Sequence, residues 1–342
     1  MTRLYLNGNS LSGTLPLALT SLTQLELLSL DTNEVSGSIP SEFGSLSRLG
    51  LLSLDDNSFS GSLPSNLGFL TKLERLQVQE NSFSGSIPRI LNSLTQLDVL
   101  YLQDNFFSGT VPSELCSLNQ LTHLNLEDNS LKGTLPPELS ALTQLNKMHI
   151  ENNEMSGTIP RNFSVLTRLI SLHLEDNSLT GTLPRQLGAL NKLAVMCVED
   201  NHLSGTIPRE FGAFTQINYL YVEDNKLSGT IPSQFGSLKE INYLYAEDNK
   251  LSGTLPTEFG ALTSLKRLWL ESNNLVGTIP SELGSFTVLD VEDDTTEENP
   301  TKNFQRKGWR QQMKQKSFLG TQQQRWRSIF RARSSVPGAA QL

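Results

Sequence analysis

An asparagine recurs every 24 residues without a single insertion, at Asn9, Asn33, Asn57, Asn81, Asn105, Asn129, Asn153, Asn177, Asn201, Asn225, Asn249 and Asn273. A glycine follows each by four positions, from Gly13 to Gly277, and a proline by seven, from Pro16 to Pro280. One unit, LTSLKRLWLESNNLVGTIPSELGS, places aliphatic residues at Leu265, Leu268, Leu270, Leu275, Ile279 and Leu283. A unit this short cannot bury its own leucines. Twelve of them stacked share one continuous core, so the period predicts a solenoid rather than separate domains. The L-x-L segment reads as a short strand with alternate side chains turned inward. The asparagine marks the inward bend, where its amide both donates to and accepts from neighbouring backbones, giving a ladder along the stack. The glycine permits the tight turn, and the proline fixes the chain where a convex short helix or 3₁₀ turn begins.

The segments NSLSGTLP, NEVSGSIP and NKLSGTIP give the pattern N-x-L-S-G-x-I-P within L-x-x-L-x-L-x-x-N-x-L-x-G. This resembles the plant-type leucine-rich repeat, found in ectodomains of receptor-like kinases and receptor-like proteins and in inhibitors of cell-wall polygalacturonases. The resemblance covers residues 1–291 and implies an α/β leucine-rich repeat solenoid. Its features are a right-handed superhelix, a parallel concave β-sheet and convex short helices or 3₁₀ turns. It specifies the fold far more closely than the function, because solenoids serve as general recognition surfaces. Family ectodomains carry a signal peptide and cysteine-bearing caps. Here Met1 falls on the first strand position of a repeat, and MTRLYLNGNS has no apolar run or cleavage site. A thirteenth unit starts at Phe286–Val291 and then fails, with Asp294 and Glu297 near columns where Leu and Asn belong.

Composition adds exclusions. No run of 18 apolar residues exists to span a membrane as a helix, and two cysteines make no disulfide scaffold. Cys116 is expected on the convex side and Cys197 on the concave strand, too far apart to pair. Free thiols argue against long residence in an oxidising compartment, whereas the sequon Asn162-Phe163-Ser164 argues for it. The net charge of −8 hides a split: all 35 acidic residues precede residue 301, and residues 301–342 carry ten basic residues and no acid. This divides the chain into a solenoid at 1–291, an acidic hinge at 292–300 and a basic, Gln-rich tail at 301–342 that reads as disordered.

Side chains in one column of a solenoid stack on adjacent strands, so three surface columns become legible. The first is acidic, occupying the two positions before each asparagine, as in Glu127, Asp128, Glu151, Glu175, Asp176, Glu199, Asp200, Glu223, Asp224, Glu247 and Asp248. It reads either as a steering field for a basic partner, or as a solvated rim, or as weak Ca²⁺ sites. The second is aromatic: Tyr219 and Tyr221, Tyr243 and Tyr245, then Arg267 and Trp269, on three consecutive strands. These are residue types enriched at binding hot spots. Cross-strand stacking for stability alone is the competing account. The third holds His149, His173 and Cys197 on consecutive strands, with His123 before them. It is a candidate Zn²⁺ column, a pH-sensitive patch if neighbouring carboxylates favour imidazolium, or ordinary polar surface.

In the tail, Trp326, Ile329 and Phe330 fall at helical spacing among arginines, the pattern of a membrane-surface, calmodulin-type or nucleic-acid-binding segment. Its charge also suits folding back over the acidic rim as an internal competitor. No nucleophile–base pair or phosphate loop appears, so the chain reads as a non-enzymatic recognition module without a cofactor. The expected partner is a protein or peptide, of basic character if the acidic column steers it. Nucleic acid is not expected on the repeats, and membrane association only through the tail or parts outside this chain. The role that the resemblance implies is the ligand-binding region of a surface receptor-like protein in signalling or defence. The alternatives are an intracellular scaffold or an inhibitor of a secreted polysaccharide hydrolase. The compartment follows: extracellular for a receptor fragment, cytoplasmic for a complete chain.

Overall fold

The computed structural model describes residues 1–285. The thirteenth unit, the acidic hinge, the basic tail and the tail-to-rim contact lie outside the described residues. Each 24-residue unit forms one coil of a solenoid. The first leucine of its L-x-L segment is the middle of a three-residue strand, and twelve of these strands, from Arg3–Tyr5 to Arg267–Trp269, pair in parallel as one sheet in chain order. The register is a shift of one full repeat, so like columns lie side by side, as in Leu220↔Leu244 and Leu244↔Leu268. The middle residue of each strand points into the core because strand side chains alternate, and Leu52, Leu100 and Leu172 are wholly buried.

The convex turns are all short 3₁₀ helices, from Leu17–Ser21 to Ser281–Ser285. Each of those from Leu17–Ser21 through Thr257–Ala261 is preceded by a proline in extended conformation, for example Pro160 at φ −65°. Five residues are too few to gain an α-helical hydrogen-bond ladder, so the tighter turn is kept. The sequence pattern did not foresee a second set of strands. After each asparagine the chain runs through the S-G-T segment, and these pair in parallel as an eight-stranded and a four-stranded sheet, linked by the bridge Thr182↔Ser204. The core between the sheets and turns is leucine with large rings inserted. Phe59, Phe83 and Phe107 stack along one column, centroids 5.9 and 6.2 Å apart.

The asparagine ladder is present as expected. Asn153 Nδ2 donates to the carbonyls of Leu126, Ile150 and Glu151 at 2.9–3.2 Å, and its Oδ1 accepts from the backbone N–H of Leu131 at 2.9 Å. One side chain thus satisfies backbone groups in two coils. The residue just before each interior asparagine has a left-handed backbone, for example φ 49° at Asp56, 55° at Asp104 and 48° at Asp224. Asp and Asn tolerate that region better than other side chains. Half of the acidic ribbon therefore has a backbone reason that charge reasoning alone missed.

Candidate ligand-binding face

The other half of the ribbon corrects its reading as a solvated rim. The column two residues before the asparagine runs Glu127, Glu151, Glu175, Glu199, Glu223 and Glu247, and Glu151 and Glu247 are each only 6 % exposed. One carboxylate oxygen of Glu151, Glu175, Glu199, Glu223 and Glu247 is buried with no hydrogen-bond partner. Gln79 and Gln103 occupy the same column in earlier repeats with the same buried, unpartnered oxygen. Glutamate is long enough to lie back against the sheet, and the side chains two residues earlier cover it. Burial, then repulsion from Glu175 and Glu127, pushes the Glu151 carboxyl above the usual range. Glu199 and Glu223 are raised for the same reasons, and Glu247 is pushed up to about 7, burial again dominating. Glu151, Glu199 and Glu223 so shifted hold their protons at neutral pH, and Glu247 is midway through its titration there. The negative field is therefore weakened at Glu151, Glu199 and Glu223.

The aromatic column forms as a continuous ladder. Tyr219 pairs with Tyr243 at 5.0 Å between ring centroids, Tyr221 with Tyr245 at 4.6 Å, and Tyr245 with Trp269 at 4.1 Å, all within 10° of parallel. Within a strand, Tyr219 meets Tyr221 edge-on at 6.1 Å, as Tyr243 meets Tyr245 at 6.3 Å. The rings turn their faces to one another along the solenoid and their edges and hydroxyls to the concavity. All five are half-buried, as is Arg267, whose guanidinium hydrogen-bonds Tyr245. Burial raises the Tyr221 and Tyr245 hydroxyls above the ordinary phenol range, so both stay neutral donors. Stacking and an outward polar edge coexist, so stability and recognition are not exclusive here.

The third column departs from its reading as ordinary polar surface. His149 and His173 are half-buried, with ring centroids 4.4 Å apart. Neighbouring carboxylates were expected to favour imidazolium. Instead, burial followed by His173, Lys147 and His123 pushes His149 down to about 3. His123 is lowered too, burial first, and packs edge-on against Tyr101 at 6.4 Å. Cys197 follows in register but is buried, and both cysteines are free thiols as expected. A periodic column of polar letters gave no sign of which members would sink. The depth came from neighbouring coils.

A long open groove of about 1230 Å³ runs elsewhere, along the Thr-Ile/Leu-Pro segments of five coils beside Arg161, Arg185 and Arg209. On this side a threonine column is unbroken and exposed through eight coils from Thr110 to Thr278. Among the described residues no helix is long and apolar enough to cross a membrane.

Comparison with known proteins follows this geometry. Two leucine-rich repeat family models match, one over residues 208–275, the other over 1–22, 24–46, 96–118, 120–142 and 168–190. Neither describes an enzyme. A search of curated proteins gave no match. Among solved structures, the plant peptide hormone receptor RGFR1 in complex with RGF2 is 34% identical with a TM-score of 0.81, over 83% of this chain and 46% of that one. The Arabidopsis receptor kinase HAESA, in complex with the peptide hormone IDA and the co-receptor SERK1, is 30% identical with a TM-score of 0.63, over 83% and 56%. A plant ice-binding protein is 26% identical with a TM-score of 0.63, over 74% of this chain and 82% of that one. The chain spans about half the length of the receptor structures it matches. With leucine-rich repeat models matched along the repeats and the fold shared with plant receptors, the chain belongs to the leucine-rich repeat proteins, and its coils are of the plant type.

Proposed function

We propose that this solenoid is the ligand-binding region of a cell-surface receptor-like protein, and that its concave face takes a protein or peptide. The aromatic ladder carries this reading, since it offers rigid Tyr, Trp and Arg side chains side by side on the last three strands of the concave sheet. The similarity to receptors bound to peptide hormones supports it. Asp224 and Asp248, flanking the ladder, suit a ligand with a basic residue placed beside it. Panning a peptide library on the full chain, then retesting the binders on Tyr221→Ala/Tyr245→Ala, checks the assignment. The double substitution is expected to weaken binding at least tenfold. Undiminished binding would place the ligand off the ladder.

The threonine column favours a second reading. Eight hydroxyl-bearing side chains at strand spacing, about 4.8 Å, make a regular, uncharged array of the kind that can order water. The likeness to an ice-binding protein of nearly the same extent supports it. Inhibition of ice recrystallisation by the full chain, lost on Thr182→Lys/Thr206→Lys, is the expected outcome. Growth of ice crystals at the rate seen with an inert protein would remove it.

A further inference from the structure

Outside the aromatic ladder, the strands Lys147–His149 and Ser171–His173 place two imidazoles against the buried glutamate column. Glu151 Oε1 lies 3.8 Å from His149 Nδ1 and 3.9 Å from His173 Nδ1, and Glu175 Oε1 lies 3.0 Å from His173 Nδ1. Four donors around a tetrahedral Zn²⁺ at its usual 2.0–2.2 Å sit about 3.4 Å from one another. Three of the six separations among these donors bracket that figure; His149 and Glu175 make no N···O contact within 4.0 Å, so side-chain rotation is what brings all four atoms onto one ion. We propose that His149, His173, Glu151 and Glu175 form a Zn²⁺ site on the concave face, two imidazole nitrogens and two carboxylate oxygens completing a tetrahedron.

Burial supplies the independent argument. Glu151 is 6 % exposed, and its Oε2 has no hydrogen-bond partner, as is also true of Glu175 Oε2. Buried carboxyls this close to one another repel when ionised, and a dication taken up in exchange for the proton offsets that repulsion. Other coils repeat the glutamate but not the imidazole. The residues two before Glu199, Glu223 and Glu247 are Cys197, Tyr221 and Tyr245, so only two adjacent coils offer nitrogen donors. The imidazoles select against Ca²⁺ and Mg²⁺, which take oxygen ligands. The ring of His149 is held by Ser171, whose Oγ is 3.0 Å from Nε2, the outer hydrogen bond that leaves Nδ1 for a metal. Access is from the concavity: the histidine side chains are 21 and 22 % exposed, and the carboxylates lie behind them at 7 and 12 %. Glu127 and Cys197 border the site, each within 4.8 Å of two of its donors, and four ligands are complete without them.

The test is a Zn²⁺ titration of the chelator-stripped full chain, by competition with a chromophoric chelator. One ion per chain is expected, undisturbed by excess Ca²⁺. His149→Ala and His173→Ala should each weaken it at least 100-fold, and Ser171→Ala about 10-fold through the lost outer hydrogen bond. Glu151→Gln should weaken Zn²⁺ at least tenfold while leaving the metal-free chain no less thermostable, a pairing that a purely structural role would not give. Glu154→Gln, on the opposite sheet, should change nothing. Co²⁺ should give the visible absorption of a tetrahedral site, which needs no variant to fold. Absence of that band, wild-type affinity in the double histidine variant, or loss that follows His123→Ala or His202→Ala instead would each overturn the site.

Discussion

A single asparagine side chain does the work of several backbone groups in this fold. Asn153 makes four hydrogen bonds across two coils, while Asn9 in the first coil donates only to the carbonyls of Leu6 and Asn7 in its own loop. Truncating Asn153 leaves buried carbonyls and an N–H without partners, at roughly 1–3 kcal/mol for a buried unsatisfied group. Asn153→Ala is therefore expected to destabilise by about 3 kcal/mol, and the exposed Asn9→Ala by less than 1 kcal/mol, compared by urea denaturation of the two variants. Equal losses would mean that the ladder adds nothing beyond local bend geometry. These residues were fully legible in the sequence, because a backbone requirement repeated in every coil forces the same letter into every coil. The glutamates were not. A column of acids reads as a solvent face unless the packing around each member is known, and Glu151 is buried between the imidazole of its own strand and that of the next coil.

At the scale of the strand column, stacked carboxyls make stability depend on pH. The Glu247 carboxyl rises from 4.5 to about 7 on folding, through burial and then the charges of Glu271, Asp224 and Asp248. Glu223, facing Glu247, Asp200 and Asp224, is raised as well. A folded state that holds its proton more tightly than the unfolded chain is favoured in full below pH 4.5, and that contribution is lost as pH rises through 7. Thermal stability in chelator should accordingly fall between pH 5 and pH 8. Glu247→Gln, neutral and of the same shape, should reduce the fall by about 1–2 kcal/mol. A stability curve that rises over this interval would show these carboxyls ionised in the folded chain. The aromatic ladder on the neighbouring column obeys the same stacking logic with the opposite sign. Tyr245 lies between Tyr221 and Trp269 at 4.6 and 4.1 Å. Tyr245→Ala should cost about 1–3 kcal/mol of stability through lost burial and two ring contacts, read from the thermal midpoint. The ladder's position was legible from the period alone; that the rings stack face to face from strand to strand required the coordinates.

In the whole solenoid each coil touches only its neighbours, so the fold is additive along its length and the ladder is local to its three strands. The receptors it resembles are about twice as long, which raises the question whether recognition needs a stretch of curved sheet or only the ladder. Removing residues 58–81 takes out one whole period and brings Asn57 directly before Ser82, which occupies the same column as Ser58. The sheet, the asparagine ladder and the proline-started turns all stay in phase. That variant should fold with an unchanged circular dichroism spectrum and a thermal midpoint lower by a few degrees, since one set of neighbour contacts is lost. If the ladder is the recognition element, a peptide selected on the intact chain should bind the shortened one equally well, because strands Tyr219–Tyr221 to Arg267–Trp269 and their neighbours are untouched. Loss of binding with folding intact would instead make the distant coils part of the ligand's footprint. Removing residues 58–69, half a period, sets leucine columns against turn columns at one junction and should lower the thermal midpoint far more than removing the whole period. That contrast would show the 24-residue phase, rather than overall composition, to be what specifies the molecule.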